Sequence, residues 1–225
     1  MPPRNEKPFA AVPEHLEPKQ SQAFCPCGYS WQPRSKLVAR CPLCGQKQGL
    51  EVKAKVVAME VVNAVEADLP KITEIYNDVI RTSTAIFNDA PVPVEDRIAW
   101  WKARVAQGYP VIVARDEKVI AGFATFGDFR PWPGYRFTVE GTIHIDSSAR
   151  RKGVGAALLQ ALIARARAAG KHVMVAGVDS ANVASLQFLE GNGFERVGHL
   201  REVGYKFDRF LDLVFLQYTL EPLRS

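Results

Sequence analysis

One stretch of the sequence, residues 138–169, constrains the fold more than any other part of the chain. Its first part, 138–146, alternates in side-chain character and is rich in β-branched residues, which predicts a strand. A basic turn with two glycines follows, and then the Ala- and Leu-rich segment 156–169, which predicts a helix. A strand, a glycine turn and a helix in this order present backbone N–H groups and positive charge to a phosphate. The sequence therefore predicts a pyrophosphate site, with the carboxylate of Glu140 upstream on the same strand.

The composition is that of a chain with a real core. It has 225 residues, of which 47% are hydrophobic, which suits one ordinary domain plus a small module. No run approaches the roughly 20 apolar residues of a membrane helix, and the N-terminal residues lack the apolar region of a signal peptide. We therefore expect a soluble, cytoplasmic protein.

The positive charge belongs to the N-terminal part of the chain. Residues 1–58 hold nine Lys and Arg but four Asp and Glu, and the two signs cancel over the rest of the sequence. Such a segment is compatible with contact to nucleic acid or to a protein partner, and equally with a solvated basic tail. Residues 1–22 contain five prolines and no apolar periodicity, so we expect a flexible tail there.

All four cysteines lie in the segment 23–49, as the pairs Cys25 and Cys27, then Cys41 and Cys44. Each pair is followed by a glycine, and four thiolates can close a tetrahedral site around structural Zn²⁺. A segment this small has little core, so metal binding would supply much of its folding energy. Iron in a rubredoxin-like site and redox disulfides are the alternatives, the latter disfavoured without a secretion signal. The segment resembles a zinc ribbon, and we expect a linker at 50–58.

The remaining residues, 59–225, predict one α/β domain. Its strand and helix patterns follow the order β-α-α-β-β-β-α-β-α-β-β, which indicates a mixed sheet with helices on both faces. The predicted strands are 61–65, 109–115, 119–126, 138–146, 173–178, 195–199 and 211–220, and the predicted helices are 71–80, 94–107, 156–169 and 181–190.

At this point the chain resembles the GCN5-related N-acetyltransferase superfamily. The basis is Arg150-x-x-Gly153-x-Gly155 after a strand, and Asn182 before a helix that leads to Gly193-Phe194. It is similar in particular to phosphinothricin and methionine sulfoximine N-acetyltransferases between about Glu60 and Leu220. That similarity rests on Tyr76-Asn77, Thr84-Ala85, Gly108-Tyr109-Pro110, Phe129-Arg130-Pro131, Thr138-Val139-Glu140, residues 171–176, residues 203–207 and Leu211-Asp212.

The resemblance implies the acyl-CoA N-acyltransferase fold, with a largely antiparallel sheet and one splayed strand pair, and a homodimer. It implies acetyl transfer from acetyl-CoA to the amino group of a small amino acid or glutamate analogue. The implied cofactor-binding residues are Ile143, His144, Ile145, Arg151, Lys152, Gly153, Val154, Gly155, Ala156 and Asn182. The implied substrate-binding residues are Arg130, Pro131, Trp132, Glu140, Gly141 and Thr142.

Glu140 is the candidate catalytic residue. An α-amino group is protonated at neutral pH, and a carboxylate beside the thioester can remove that proton. The alternative is a surface or ion-paired glutamate. Arg130 can hold an amino acid carboxylate as a fork, or form a structural ion pair. Trp132 and Tyr135 line the pocket in the functional interpretation and pack in the core in the structural one.

Leu189 departs from the pattern of the family. The subfamily usually has His at this position and the superfamily often has Tyr, as general acid, whereas leucine cannot donate a proton. His144 replaces a usual Tyr on the cofactor strand, and strand alternation indicates a structural role for its ring. Three hypotheses remain open: an acetyltransferase for these or other small or protein amines, an acetyl-CoA-binding adaptor with weak catalysis that is directed by the zinc module, and a protein that binds acetyl-CoA but has lost catalysis.

Overall fold

The computed structural model describes residues 59–116 and 119–220, together with four two-residue strands nearer the N-terminus. The chain divides into two compact units, Met1–Val56 and Val57–Ser225. In the first unit, β1 (Ala23–Phe24) pairs with β2 (Ser30–Trp31), and β3 (Ala39–Arg40) pairs with β4 (Lys47–Gln48), both antiparallel. The predicted tail, linker and cysteine positions lie outside the described residues.

The second unit follows the predicted order of helices and strands. The strands are β5 (Glu60–Asn63), β6 (Val111–Asp116), β7 (Val119–Asp128), β8 (Thr138–Ile145), β9 (Val173–Asp179), β10 (Glu195–Lys206) and β11 (Arg209–Thr219). The helices are α1 (Leu69–Thr82), α2 (Val94–Ala106), α3 (Val154–Ala168) and α4 (Val183–Gly191). The one large difference from the prediction is β10, which continues seven residues beyond the predicted end at His199.

The seven strands form one sheet in the order β10-β11-β9-β8-β7-β6-β5. All neighbouring pairs are antiparallel except β8 and β9, which run parallel. This confirms the predicted mixed, largely antiparallel sheet.

The helices cover both faces of the sheet, as predicted. On one face, α3 and α4 pack their apolar residues against a cluster that includes Val139, Met174 and Leu216. On the other face, α1 packs Leu69, Ile72 and Ile75 against β6 and β7. Because side chains alternate along a strand, β8 sends residues to both cores.

The start of α1, at Leu69, is two residues earlier than the predicted start at residue 71. Asp68 is the residue before the helix, and its carboxylate makes no capping bond to the helix. It accepts a hydrogen bond from the Val65 backbone N–H at 2.9 Å and pairs with Arg115 at 2.7 Å. The helix start is thereby fastened to β6 by an ion pair.

The loop between α1 and α2 is held by the opposite end of the sheet. Lys206, at the end of β10, is 2% exposed, and its Nζ donates to the carbonyls of Ser83 and Ile86 at 2.9 and 2.8 Å. Thr84 donates to Asp179 at the end of β9. Burial lowers the pKa of Lys206 from its ordinary value. These bonds fix the loop above the carboxyl end of β9.

Among the described residues, no helix combines the length and the apolar character that a membrane crossing requires.

Because the buried Lys206 Nζ donates to two loop carbonyls, replacing Lys206 by Met should destabilise the domain. The change keeps the alkyl stem and leaves two carbonyls without their donor, which costs about 2 kcal/mol. Urea unfolding should show a lower midpoint at an unchanged slope. Lys102→Met is the matched control, since Lys102 forms only an exposed ion pair with Glu66, and it should cost less than about 1 kcal/mol. Equal midpoints for the two variants would contradict the role of Lys206.

Candidate active site

The site is organised by the place where two parallel strands stop pairing. The register between β8 and β9 covers three residue pairs, from Thr138 with Val173 to Glu140 with Val175. Beyond Glu140, β8 continues beside β7, while β9 continues beside β11. The two strands therefore diverge directly after Glu140, and the backbone edge of 141–145 faces an opening instead of a partner strand.

The turn after β8 has the geometry of an anion site. Gly153, immediately before α3, has φ +83°, and Arg151 has φ +61°. The first-turn N–H groups of α3 have no partner within the helix and lie at its positive end. The side chains of residues 150–152 are exposed around them. These donors and charges fit a pyrophosphate, and the residues predicted for this group are brought together here.

The two glycines of the turn serve different purposes. Gly153 is required by its left-handed backbone, which costs non-glycine residues about 1 kcal/mol. Gly155 is required by packing, because a β-carbon there would lie 3.0 Å from the Ile145 side chain and 3.4 Å from Phe188. Gly155 therefore lets α3 sit close to the end of β8.

An ion pair that the sequence did not predict fixes the same connection. Asp146, directly after β8, accepts bonds from the Ser148 N–H and hydroxyl at 3.0 and 2.6 Å. Lys71 on α1 pairs with it at 2.8 Å. The bonds from Lys71 and then from Ser148 lower the pKa of Asp146 to about 2. Asp146 thus remains ionised at neutral pH and holds the turn in place.

Asn182 lies across the opening, at the start of α4. Its Oδ1 caps the helix by accepting a bond from the Ser185 N–H at 3.2 Å. The Asn182 amide NH₂ forms no hydrogen bond within the described part of the chain. The residue therefore combines a structural cap with a free donor, which is compatible with its predicted contact to the cofactor arm.

Glu140 occupies the point of divergence and is half-buried. Burial raises the pKa of the Glu140 carboxyl above its ordinary value, while the charges of Arg130 and Arg104 act in the opposite direction. Gly177 on β9 lies beside it, since a β-carbon there would come into ordinary contact with Glu140 Oε1, at 3.4 Å. Glu140 forms no ion pair with a lysine or arginine in residues 59–116 and 119–220.

The predicted substrate loop lies beside Glu140. Within the described residues, Arg130 donates only to the neighbouring Phe129 carbonyl, at 3.0 Å, and its guanidinium lies 4.3 Å from the Phe129 ring. Trp132 is 71% exposed and Tyr135 44% exposed, so neither packs in a core. Tyr135 and Phe129 line a mainly apolar groove of about 320 Å³ with side chains of β8–β11. Thr142 shares the Glu140 face, whereas Gly141 faces Met174 and α3.

His144 is buried on the α1 face of β8, with its ring 5.3 Å from Phe123 and 5.9 Å from Tyr76. Burial, and then the charge of Arg97, lower the pKa of His144 to about 4. The ring is therefore neutral and packed, as the strand alternation predicted. Leu189 is 8% exposed and belongs to the core around α3. An alkyl side chain in that core has no proton to give.

Sequence reasoning missed residues at two places in the site. Beside Glu140 they are Arg104, Gly127 and Gly177. After the end of β8 they are Lys71 and Asp146, which form an ion pair. Arg104 had a detectable signal, since arginine recurs seven residues apart on the inner face of α2, at 97 and 104. Within 59–116 and 119–220, no cluster of three or more metal-ligating side chains occurs. The four predicted metal ligands, Cys25, Cys27, Cys41 and Cys44, lie outside the described residues.

Comparison with known proteins agrees with this geometry. The model of the Acetyltransferase (GNAT) family matches residues 72–194. The L-methionine sulfoximine/L-methionine sulfone acetyltransferase of Pseudomonas paraeruginosa is 50% identical over 160 residues, 71% of this chain and 93% of that protein. Phosphinothricin N-acetyltransferase of Alcaligenes faecalis is 36% identical over 176 residues, 78% of this chain and 88% of that protein.

Solved structures give the same result. The Salmonella typhimurium acetyltransferase yncA, solved with its cofactor acetyl-CoA, superposes with a TM-score of 0.72 at 43% identity, over 75% of this chain and 97% of that one. The chain therefore belongs to the acetyltransferase (GNAT) family. It is an acetyl-CoA-dependent N-acetyltransferase.

Removing charge from the turn should weaken binding of acetyl-CoA. The double variant Arg151→Gln, Lys152→Gln loses two cations beside the α3 N-terminus, and its Kd for acetyl-CoA should rise about tenfold. The effect should shrink in high salt, because exposed charges are screened. Titration calorimetry measures both. The control Lys102→Gln, Arg209→Gln loses the same charge from other elements, and an equal loss of affinity there would refute a local role for the turn.

Proposed function

We propose that this enzyme acetylates the α-amino group of a small amino acid or glutamate analogue of the methionine sulfoximine or phosphinothricin type, with Glu140 as general base. The observation that carries the proposal is the Glu140 carboxylate at the divergence of β8 and β9. There it lies between the backbone edge predicted for the acyl donor and the exposed loop around Arg130. Acetyl-CoA bound there supplies an acetyl group already activated as a thioester.

Glu140 removes a proton from the incoming ammonium group, directly or through a water molecule. The free amine then attacks, without a covalent acyl-enzyme. No cysteine occurs in residues 59–225 to form one. The raised pKa of Glu140 suits this task, since a more basic carboxylate accepts the proton more readily.

The acceptor class is supported by the relatives and by the charge beside Glu140. The Arg130 guanidinium pairs with no carboxylate among the described residues and is exposed. A planar guanidinium binds a carboxylate through two parallel hydrogen bonds, which suits an amino acid. Pro131, Trp132 and Thr142 complete the acceptor side in this proposal. The backbone of 143–145 and residues 151–156, with Asn182, hold the donor.

A thiol-release assay with acetyl-CoA and a panel of amino acids tests the activity. We expect CoA release with methionine sulfoximine, methionine sulfone or phosphinothricin. If these compounds and ordinary amino acids all gave background release, the substrate class would be wrong. Acetyl-CoA binding without turnover of any amine would then favour a protein that has lost catalysis. Slow turnover would favour the adaptor with weak catalysis, and turnover of other small or protein amines would favour the broader acetyltransferase.

Glu140→Gln should lower kcat by about 10²- to 10⁴-fold, because the amide cannot accept the proton. The wild-type rate should fall toward acid pH as Glu140 becomes protonated. Since its pKa is raised, that fall should be centred above the ordinary glutamate value of 4.5. Glu95→Gln, an exposed change at the start of α2, is the control and should retain full activity. An unchanged kcat in Glu140→Gln would rule out its role as base.

The proposal extends to the N-terminal segment, as a structural zinc site of Cys25, Cys27, Cys41 and Cys44. Two observations support it. The first cysteine pair falls in sequence between β1 and β2, and the second between β3 and β4. In each case the pair directly follows the first strand of an antiparallel pair. Four thiolates in two such pairs match the ligand set of structural zinc.

The proposal also includes a cytoplasmic homodimer. It is supported by exposed apolar side chains near the turn between β10 and β11: Val203, Tyr205, Phe207 and Phe210 are each more than half exposed. Exposed apolar side chains grouped in this way are typical of an interface, and a second copy of the chain would cover them.

Native mass spectrometry of the full-length protein measures the zinc content and the oligomeric state in one experiment. We expect the mass of a dimer with one zinc ion per chain. Cys41→Ser, Cys44→Ser should lose the metal while the acetyltransferase domain stays active. A metal-free native chain would refute the zinc site, iron would point to the rubredoxin-like alternative, and a monomer mass at micromolar concentration would contradict the dimer.

A further inference from the structure

The inner face of α2 carries cations where an apolar strip is usual. Arg97, Trp100, Trp101 and Arg104 recur at the spacing of one helical face. Arg97 is 7% exposed, and its guanidinium lies 3.6 Å from the centre of the Tyr76 ring. Burying a charge costs free energy unless another group compensates it. The rings of Tyr76 and Trp100 compensate part of that cost for Arg97, which leaves the groups around Arg104 to be identified.

Arg104 lies against one defined point of β7. Its Nη1 donates to the Phe126 carbonyl at 3.0 Å. A β-carbon at Gly127 would lie 1.5 Å from that same Nη1. The guanidinium therefore occupies the space that a side chain at Gly127 would fill. Any larger residue there would displace it.

Gly127 is the register partner of Glu140. The two residues lie directly opposite each other in the antiparallel pair of β7 and β8. Side chains of directly opposed residues leave the same face of the sheet, with β-carbons about 4.5–5.5 Å apart. The Arg104 guanidinium thus takes the cross-strand position opposite Glu140, although it comes from a helix and not from the neighbouring strand.

Other charged groups around this pair are few and can be named. Arg130 approaches Glu140 from the loop after β7. Arg104 is faced also by Tyr109 and Asp128, which are hydrogen-bonded to each other. Burial, and then the bond to Asp128, raise the pKa of Tyr109 to about 12, so it stays neutral at working pH.

We propose that Arg104 is a positioning residue that keeps Glu140 ionised and in place, and that Gly127 provides the space for its guanidinium. The catalytic consequence of this inference rests on the proposed role of Glu140 as general base. Its physical content is independent of that role, since it concerns the ionisation of a half-buried carboxyl. Arg104 offsets the burial that would otherwise protonate Glu140 at higher pH.

The direct test is a pH titration of the Glu140 carboxyl carbon, monitored by carbon-13 NMR. The signal is assigned by its absence in the Glu140→Gln variant. In Arg104→Gln, the pKa of Glu140 should rise by about one pH unit, as expected for loss of a nearby opposite charge. Arg104→Lys should restore much of the difference. Arg165→Gln is the charge-matched control: Arg165 also donates to a backbone carbonyl, at Ala161, but from α3 on the opposite face. Its Glu140 titration should match the wild type.

Gly127→Ala tests the spatial part of the inference without removing a charge. It should displace the guanidinium and raise the pKa of Glu140 in the same direction. In the Arg104→Gln background it should add nothing, because the group it displaces is already absent. Acetyl-CoA affinity, unchanged in each variant, shows that the domain is folded.

The outcomes separate the inference from the proposed function. A Glu140 titration that is the same in wild type and Arg104→Gln overturns the inference. If it moves, the acid side of the pH–kcat/KM profile should move with it. A shifted titration with an unshifted rate profile supports the inference and contradicts Glu140 as base.

Discussion

The site depends on one interruption of backbone pairing. The parallel ladder between β8 and β9 ends at Glu140 and Val175, and each strand then follows a different neighbour. A continuous ladder would satisfy every backbone group and leave no opening. Because the strands diverge, a backbone edge becomes available to a ligand at the same point where a carboxylate leaves the sheet. The ion pair of Lys71 with Asp146 and the close packing at Gly155 hold the far end of β8 in this position.

Two strand glycines, Gly127 and Gly177, lie beside Glu140. A β-carbon at Gly127 would overlap the Arg104 guanidinium, whereas a β-carbon at Gly177 would come into ordinary contact with Glu140 Oε1. The space beside Gly127 is thus filled by a group from another element. Glycine weakens a strand, so its presence opposite Glu140 reflects a requirement for space.

The pKa of Glu140 is set by two opposing effects, burial and the charge of nearby arginines. Burial raises its pKa, and two arginines reduce that effect. A carboxyl with a raised pKa is a weaker acid once protonated, and Leu189, at the position where the resemblance implies a proton donor, is an alkyl side chain in the core. The leaving thiolate of CoA must therefore be tolerated as such or obtain its proton elsewhere.

The sequence by itself determined the features that depend on neighbours along the chain. It predicted the strand–turn–helix at 138–169, the order of all helices and strands in the acetyltransferase unit, and Glu140 on its strand, because periodicity and glycine turns are local signals. Only the tertiary structure decided what crosses between elements. The extension of β10 to Lys206 follows from pairing with β11, since residues 200–206 lack strong alternation. The placement of Arg104 at Gly127, which is the register partner of Glu140, follows from the packing of α2 on a strand pairing that no local pattern specifies. Sequence reasoning therefore singled out Glu140 but not Arg104.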